Sequence, residues 1–166
     1  MKLRYAWSML LLLILHAEVN ALSTDQDKPF EVEADSAIVD ENLGSTIYRG
    51  DVSIIQGSLK ILADEIEIIT IGGDVVQIIA RTDENSDRLA HLEQQPDHKE
   101  RVFADARSIN YYIQEQRVNL TGEALLRQKG DEFTGEIVYY DVGQGIIHLK
   151  SGSESERIKI KYNTAK

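Results

Sequence analysis

The stretch ADSAIVDENLGSTIYRG (residues 34–50) sets out a short β-prone run, a polar turn and a second run. It returns three times, as ADEIEIITIGGDVVQIIA (63–80), ADARSINYYIQEQRVNLTG (104–122) and TGEIVYYDVGQGIIHLKSG (134–152). No single copy can bury its own apolar face, so repetition on this scale implies stacked strand-turn-strand units sharing one core. The openings at Ala34, Ala63, Ala104 and Thr134 lie 29, 41 and 30 residues apart, and the long interval holds an insertion from Arg81 to Glu100. Pairs of copies therefore make a larger unit: Gly50-Asp51-Val52 recurs 72 residues on as Gly122-Glu123-Ala124.

Around these phrases the apolar residues alternate with the period of a strand. Phe30, Val32 and Ala34 fall on one face and Glu31, Glu33 and Asp35 on the other. Val52 and Ile54, then Leu59 and Ile61, flank the turn Gln56-Gly57-Ser58 as a hairpin; Val118, Leu120, Ala124 and Leu126 answer them before Lys129-Gly130-Asp131. The phase changes inside the repeated opening. Leu59, Ile61 and Ala63 are odd but Ile66 and Ile68 even; Val102 and Ala104 are even but Ile109, Tyr111 and Ile113 odd. Because side chains alternate strictly, a phase change requires a bulge or a corner where a strand passes between facing sheets. Phe133, Gly135, Ile137 and Tyr139 keep one phase, so the same argument does not support a bend in the fourth phrase. The predicted fold is all-β: two antiparallel sheets folded over one another as a sandwich or jelly roll of many short strands.

Residues 1–21 stand apart. Lys2 and Arg4 precede an apolar run from Ala6 to Leu15 and a small-residue site, Val19-Asn20-Ala21, the pattern of a secretory signal peptide cut after Ala21. A run of about ten residues is short of the roughly 20 needed to span a bilayer, which disfavours an uncleaved anchor. The remaining residues, 22–166, are expected to form a single domain. There is no cysteine, and a net charge of −10 opposes nucleic acid or an anionic membrane surface as a partner held by charge alone.

Catalytic chemistry finds no foothold. His91, His98 and His148 lack metal-ligand spacing, and there is no nucleophile elbow, phosphate loop or thiol. Asp83-x-Asn85-x-Asp87 begins like a calcium loop, but Arg88 replaces the required glycine and Gln94 the bidentate acid, so it is read as a solvated loop. Neither a metal nor a cofactor is expected. The ends are more informative: Glu31 and Glu33 give the first strand an acidic outer face, while Arg157, Lys159 and Lys161 give the last a basic one opposite Ile158, Ile160 and Tyr162. If these edges meet in successive copies, backbone pairing and charge agree.

The ordered series Pro29-Phe30-Glu31-Val32-Glu33-Ala34-Asp35, Tyr48-Arg49-Gly50-Asp51-Val52, Gln56-Gly57, Ala63-Asp64, and Ala104 to Tyr111 followed by Leu120-Thr121-Gly122 resembles the OstA-like family of periplasmic lipopolysaccharide transport proteins, over essentially all of 22–166. The resemblance implies an open β-jellyroll that holds lipopolysaccharide acyl chains in an apolar groove. It also implies protomers stacked head to tail between inner-membrane LptC-like and outer-membrane LptD-like jellyroll domains. Its lipid-contacting positions fall on Phe30, Val32, Leu92, Tyr111 and Ile113, and the inward residues Val52, Ile54, Leu59, Ile61 and Leu120 would line the groove. Glu31, Glu33, Lys159 and Lys161 would be the self-assembly edges. The alternatives are a membrane-anchored member of the same pathway and a closed β-scaffold without ligand.

Overall fold

A computed structural model of the chain describes residues 28–96, 99–153 and 157–164, so the expected signal peptide and His98 lie outside it. Every regular element among the described residues is a strand: β1 (Glu31–Glu33), β2 (Ser36–Asp40), β3 (Ser45–Gln56), β4 (Leu59–Ile71), β5 (Asp74–Arg81), β6 (Ala90–Gln94), β7 (Val102–Ala106), β8 (Ser108–Tyr112), β9 (Arg117–Gln128), β10 (Asp131–Asp141), β11 (Ile146–Lys150) and β12 (Lys159–Lys161). All pairings are antiparallel.

Four long strands, β3, β4, β9 and β10, bend at mid-length and serve two sheets. One sheet runs β1-β3-β4-β6-β7-β9-β10-β12 and the other β2-β3-β4-β5-β8-β9-β10-β11. The inner faces of both meet in one core that includes Ile54, Ile61, Ile66, Ile109, Leu120 and Leu126, all fully buried. Each such side chain contributes about 1.5–3 kcal/mol relative to exposure.

The bends are bulges, and the recurring glycine-acid pair makes them. Arg49 pairs with Glu65 and Val52 with Ala63, leaving Gly50 and Asp51 opposite Asp64; Gly122 and Glu123 likewise oppose Glu136 between Thr121–Ile137 and Ala124–Gly135. All four bulge residues have positive φ: 85° and 44° in the first pair, 80° and 51° in the second. The neighbouring corner strand closes on them, with the Asp35 N–H donating to Gly50 O at 3.2 Å and the Arg107 N–H to Gly122 O at 2.8 Å.

The phase change expected at Ala63 is present, and the one after Ala104 falls at Arg107, between buried Ala106 and Ile109. The fourth phrase corrects the sequence reading. Phe133 packs on the core, but it is Val138 and Tyr140 that are then buried, not Ile137 and Tyr139, because the bulge at Gly122-Glu123 turns β10 over. The segment 81–100 is likewise more than an insertion. It contains β6, which pairs with β4 and β7 and joins the two halves of the chain. Six strands thus repeat: β8, β9, β10 and β11 each begin 72 residues after β2, β3, β4 and β5, with β7 and β12 in the places of β1 and β6.

Candidate functional site

The residues expected to line a groove come together. Val52, Ile54, Leu59, Ile61, Leu92, Tyr111, Ile113 and Leu120 are all buried between the sheets, while Phe30 and Val32 are half-buried at one end against the same core. Side chains from both sheets fill the space. Between β6, β7, β9 and β10 there remains a crevice too narrow for a water molecule, lined by Leu92, Val102, Val118, Leu126, Tyr140 and Val142 among others.

The corners close one long side of this interior, and the hairpin turns of both sheets form lips along the other. Polar ties cross between the sheets: the Tyr111 hydroxyl donates to Gln94 Oε1 (3.3 Å), and Gln128 Nε2 donates to the Tyr140 hydroxyl (3.2 Å). Burial pushes the Tyr140 phenol up, against the opposing hydrogen bond from Gln128. At the lip, Lys99 Nζ donates to the carbonyl oxygens of Val142 and Gly143 in the β10–β11 turn. These ties hold the two sheets together over the interior.

The ends are open. On the inner face, Val39 of β2 is 65% exposed and Ile160 of β12 is 40% exposed. Ile147 and Leu149 of β11 pack at the margin of the core, beside Tyr140 and Val138. Sequence reasoning identified β1 and β12 as edges but missed β2 and β11, the edges of the second sheet. The exposed pair Ile38-Val39 was the available signal.

The outer face of the first sheet carries two continuous rungs across the molecule. One reads Glu31, Ile55, Lys60, Glu93, Phe103, Arg127, Glu132, Lys161; the other reads Glu33, Ser53, Leu62, His91, Asp105, Leu125, Thr134, Lys159. Each begins on a carboxylate and ends on an ammonium. At the centre, where the halves join, His91 Nδ1 lies 2.7 Å from Asp105 Oδ1 and Arg127 Nη2 2.8 Å from Asp105 Oδ2. Burial alone would raise the Asp105 pKa, but the His91 hydrogen bond and charge, with Arg127, hold it below the ordinary carboxylate value.

The loop carrying Asp83 and Asp87 is structural. The Asp83 N–H donates to Asp64 Oδ2 (3.0 Å), and Arg88 bridges Asp51 and Asp64 at 2.7 and 2.6 Å. The Asp83 hydrogen bond first, then Arg88, lower the Asp64 pKa against the effect of burial. No group of three or more side chains suited to a metal occurs among the described residues.

Comparison with known proteins points one way. Lipopolysaccharide export system protein LptH of Pseudomonas aeruginosa is 30% identical over 82% of this chain and 76% of its own length. Its counterpart LptA of Escherichia coli K12 is 27% identical over 72% of this chain and 63% of that protein, so the match spans just under two thirds of the latter. The crystal structure of Pseudomonas aeruginosa LptH, described as the LptA-homologous periplasmic component of the conserved lipopolysaccharide transport device, superposes with a TM-score of 0.73 at 28% identity, covering 84% of this chain and 99% of that one. Residues 31–146 match the family described as LptA/(LptD N-terminal domain) LPS transport protein, and the chain belongs to that family.

Proposed function

We propose that the chain is a periplasmic lipopolysaccharide carrier whose copies stack end to end, with acyl chains between the sheets and the saccharide outside. The carrying observation is the junction inside the molecule. β12 occupies on β10 the place that β6 occupies on β4, and β1 occupies on β3 the place that β7 occupies on β9. Transferring the β6–β7 register to the two ends sets Lys159 opposite Glu33, Ile160 opposite Val32 and Lys161 opposite Glu31 of the next copy. Lys159 and Glu33 then take the places of His91 and Asp105.

The β5–β8 register, transferred in the same way, sets Leu149 opposite Ala37 and Ile147 opposite Val39. The interior of one protomer then runs into that of the next, and the contact does not close on itself, so it propagates. Each buried methylene is worth about 0.8 kcal/mol, so one long acyl chain gains on the order of 10 kcal/mol relative to water. A bilayer offers the same gain, and direction must come from an energy source elsewhere. The same two ends would receive an LptC-like domain upstream and an LptD-like domain downstream; the family's description includes the LptD N-terminal domain, which supports a matching edge there.

Because the chain has no cysteine, introduced thiols report cleanly. Facing residues in an antiparallel ladder stand about 4.5–5.5 Å apart at Cα, within disulfide reach. Oxidising the double variant Val32→Cys, Ile160→Cys is expected to give covalent ladders, and the slipped pair Val32→Cys, Lys159→Cys is not. Equal ladders from both pairs, or none from the first, would overturn the register. A photo-crosslinker at Phe30 or Tyr111 is expected to label lipopolysaccharide, with Glu33 as the wet-face control; labelling at the control only, or nowhere, rejects the carrier in favour of a closed scaffold.

A further inference from the structure

We propose that the outer face of the second sheet carries a saccharide-binding site beside the β11 end. A depression of about 400 Å³ there is lined by Arg117, Asn119, Tyr139, Asp141, Gln144, Ile146 and His148, and Tyr140 also borders it. Asn119, Tyr139 and His148 form one rung across β9, β10 and β11; Arg117, Asp141 and Ile146 form the next. Gln144 comes from the β10–β11 turn, fixed by its N–H donating to Asp141 Oδ1 at 2.7 Å.

The chemistry suits a sugar ring. Two amides and an imidazole offer paired donors and acceptors, and Tyr139 offers an aromatic ring for the apolar C–H face together with a hydroxyl. Among the described residues the side chains of Asn119, Tyr139, Gln144 and His148 have no hydrogen-bond partner, whereas Arg117 is engaged by Glu115. Lys150 holds its ammonium 5.3 Å from the Tyr139 ring centroid, and with the Arg117–Glu115 pair and the Asp141 carboxylate it gives the site charges of both signs.

An ordinary wet sheet face is also polar, and the internal repeat provides the control. At the equivalent rung of the first half stand Ile47, Glu67 and Ile79, with Glu67 paired to Arg81 at 3.4 Å. The same backbone frame thus carries two branched aliphatics and a neutralised acid in one half, and an amide, a phenol and an imidazole in the other. Position supports the assignment too. Tyr140 lines both the inner crevice and this depression, and along one turn Val142 faces the crevice while Gln144 faces the depression. An amphiphile with its chain in the crevice would pass its headgroup over that lip onto the site. The identity of the sugar, that of lipopolysaccharide, rests on the carrier reading.

The test uses the deacylated oligosaccharide of lipopolysaccharide, before and after phosphatase treatment, in ligand-observed NMR titrations against the whole protein. Both forms are expected to bind saturably, and Asn119→Ala or Tyr139→Ala to weaken binding about five- to tenfold, the effect of one or two lost neutral contacts. The first-half control Glu67→Ala is expected to bind normally, and unchanged thermal melts show that the variants fold. No saturable binding, equal binding by the variants, or binding confined to the phosphorylated form would overturn the site. The probe has no acyl chain: labelling at Tyr111 without oligosaccharide binding removes this inference alone, and the reverse result removes the carrier reading alone.

Discussion

At Gly122 the backbone sits at φ +80°, and a Cβ there would stand 2.7 Å from the Arg107 Cβ; at Gly50 it would stand 2.2 Å from Asp35 Oδ2. Left-handed backbone costs other residues about 1–2 kcal/mol before any clash. Gly122→Ala is therefore expected to lose about 2 kcal/mol of unfolding free energy in urea titration, the steric contact adding to the backbone term. Asp105 gives a pH-dependent counterpart. Its folded pKa lies below the unfolded value near 3.8, so its contribution is complete above that value and is lost as pH falls through the lower folded one. Asp105→Asn is expected to lower stability at neutral pH and to flatten the acid limb below about pH 4, as followed by denaturation midpoints. The sequence was legible where apolar residues strictly alternate, as in Glu65-Ile66-Glu67-Ile68, whose two isoleucines are buried. It failed at Ile137-Val138-Tyr139-Tyr140, where every position is apolar or aromatic; there the facing bulge, not the pattern, decides which two are buried.

The short strands carry the meaning that sequence reading found hardest. β6 is five residues inside a polar segment ending near Pro96, and only its pairing with β4 and β7 shows that it is the hinge between halves. β12 is three residues long, yet Lys159 and Lys161 were recognisable because charge alternates with isoleucine. Exposed ion pairs are worth about 0.2–1 kcal/mol each, so in the proposed stack these lysines would select register more than supply affinity. Replacing both by glutamate turns two attractions into two repulsions, and sedimentation is expected to show self-association weakened about tenfold or more. Adding Glu31→Lys and Glu33→Lys is expected to restore it, and high salt to blunt both effects.

Across the whole molecule, the interior is a packed core, and the proposed carriage of acyl chains would require it to part. Leu120→Ala is expected to cost about 3 kcal/mol in chemical denaturation, because Leu120 is fully buried and its neighbours belong to both sheets. Spin labels at Lys129 and Gln144, on facing lips, are expected to move apart when lipopolysaccharide is added; an unchanged distance would mean that the acyl chain never enters. The overall architecture was readable because repetition and phase are properties of single strands. The closed crevice, the second pair of edges and the outer depression were not, because each arises from residues that meet only after folding.

The duplication has one more consequence. If the joint between copies repeats the joint between halves, a protomer is already a filament two units long. Its sheets twist with a fixed hand, so the stack would be a screw whose pitch is written inside a single subunit. Length then becomes a quantised quantity: one extra six-strand block spliced into the chain would lengthen the conduit by half a protomer without any new interface having to be invented.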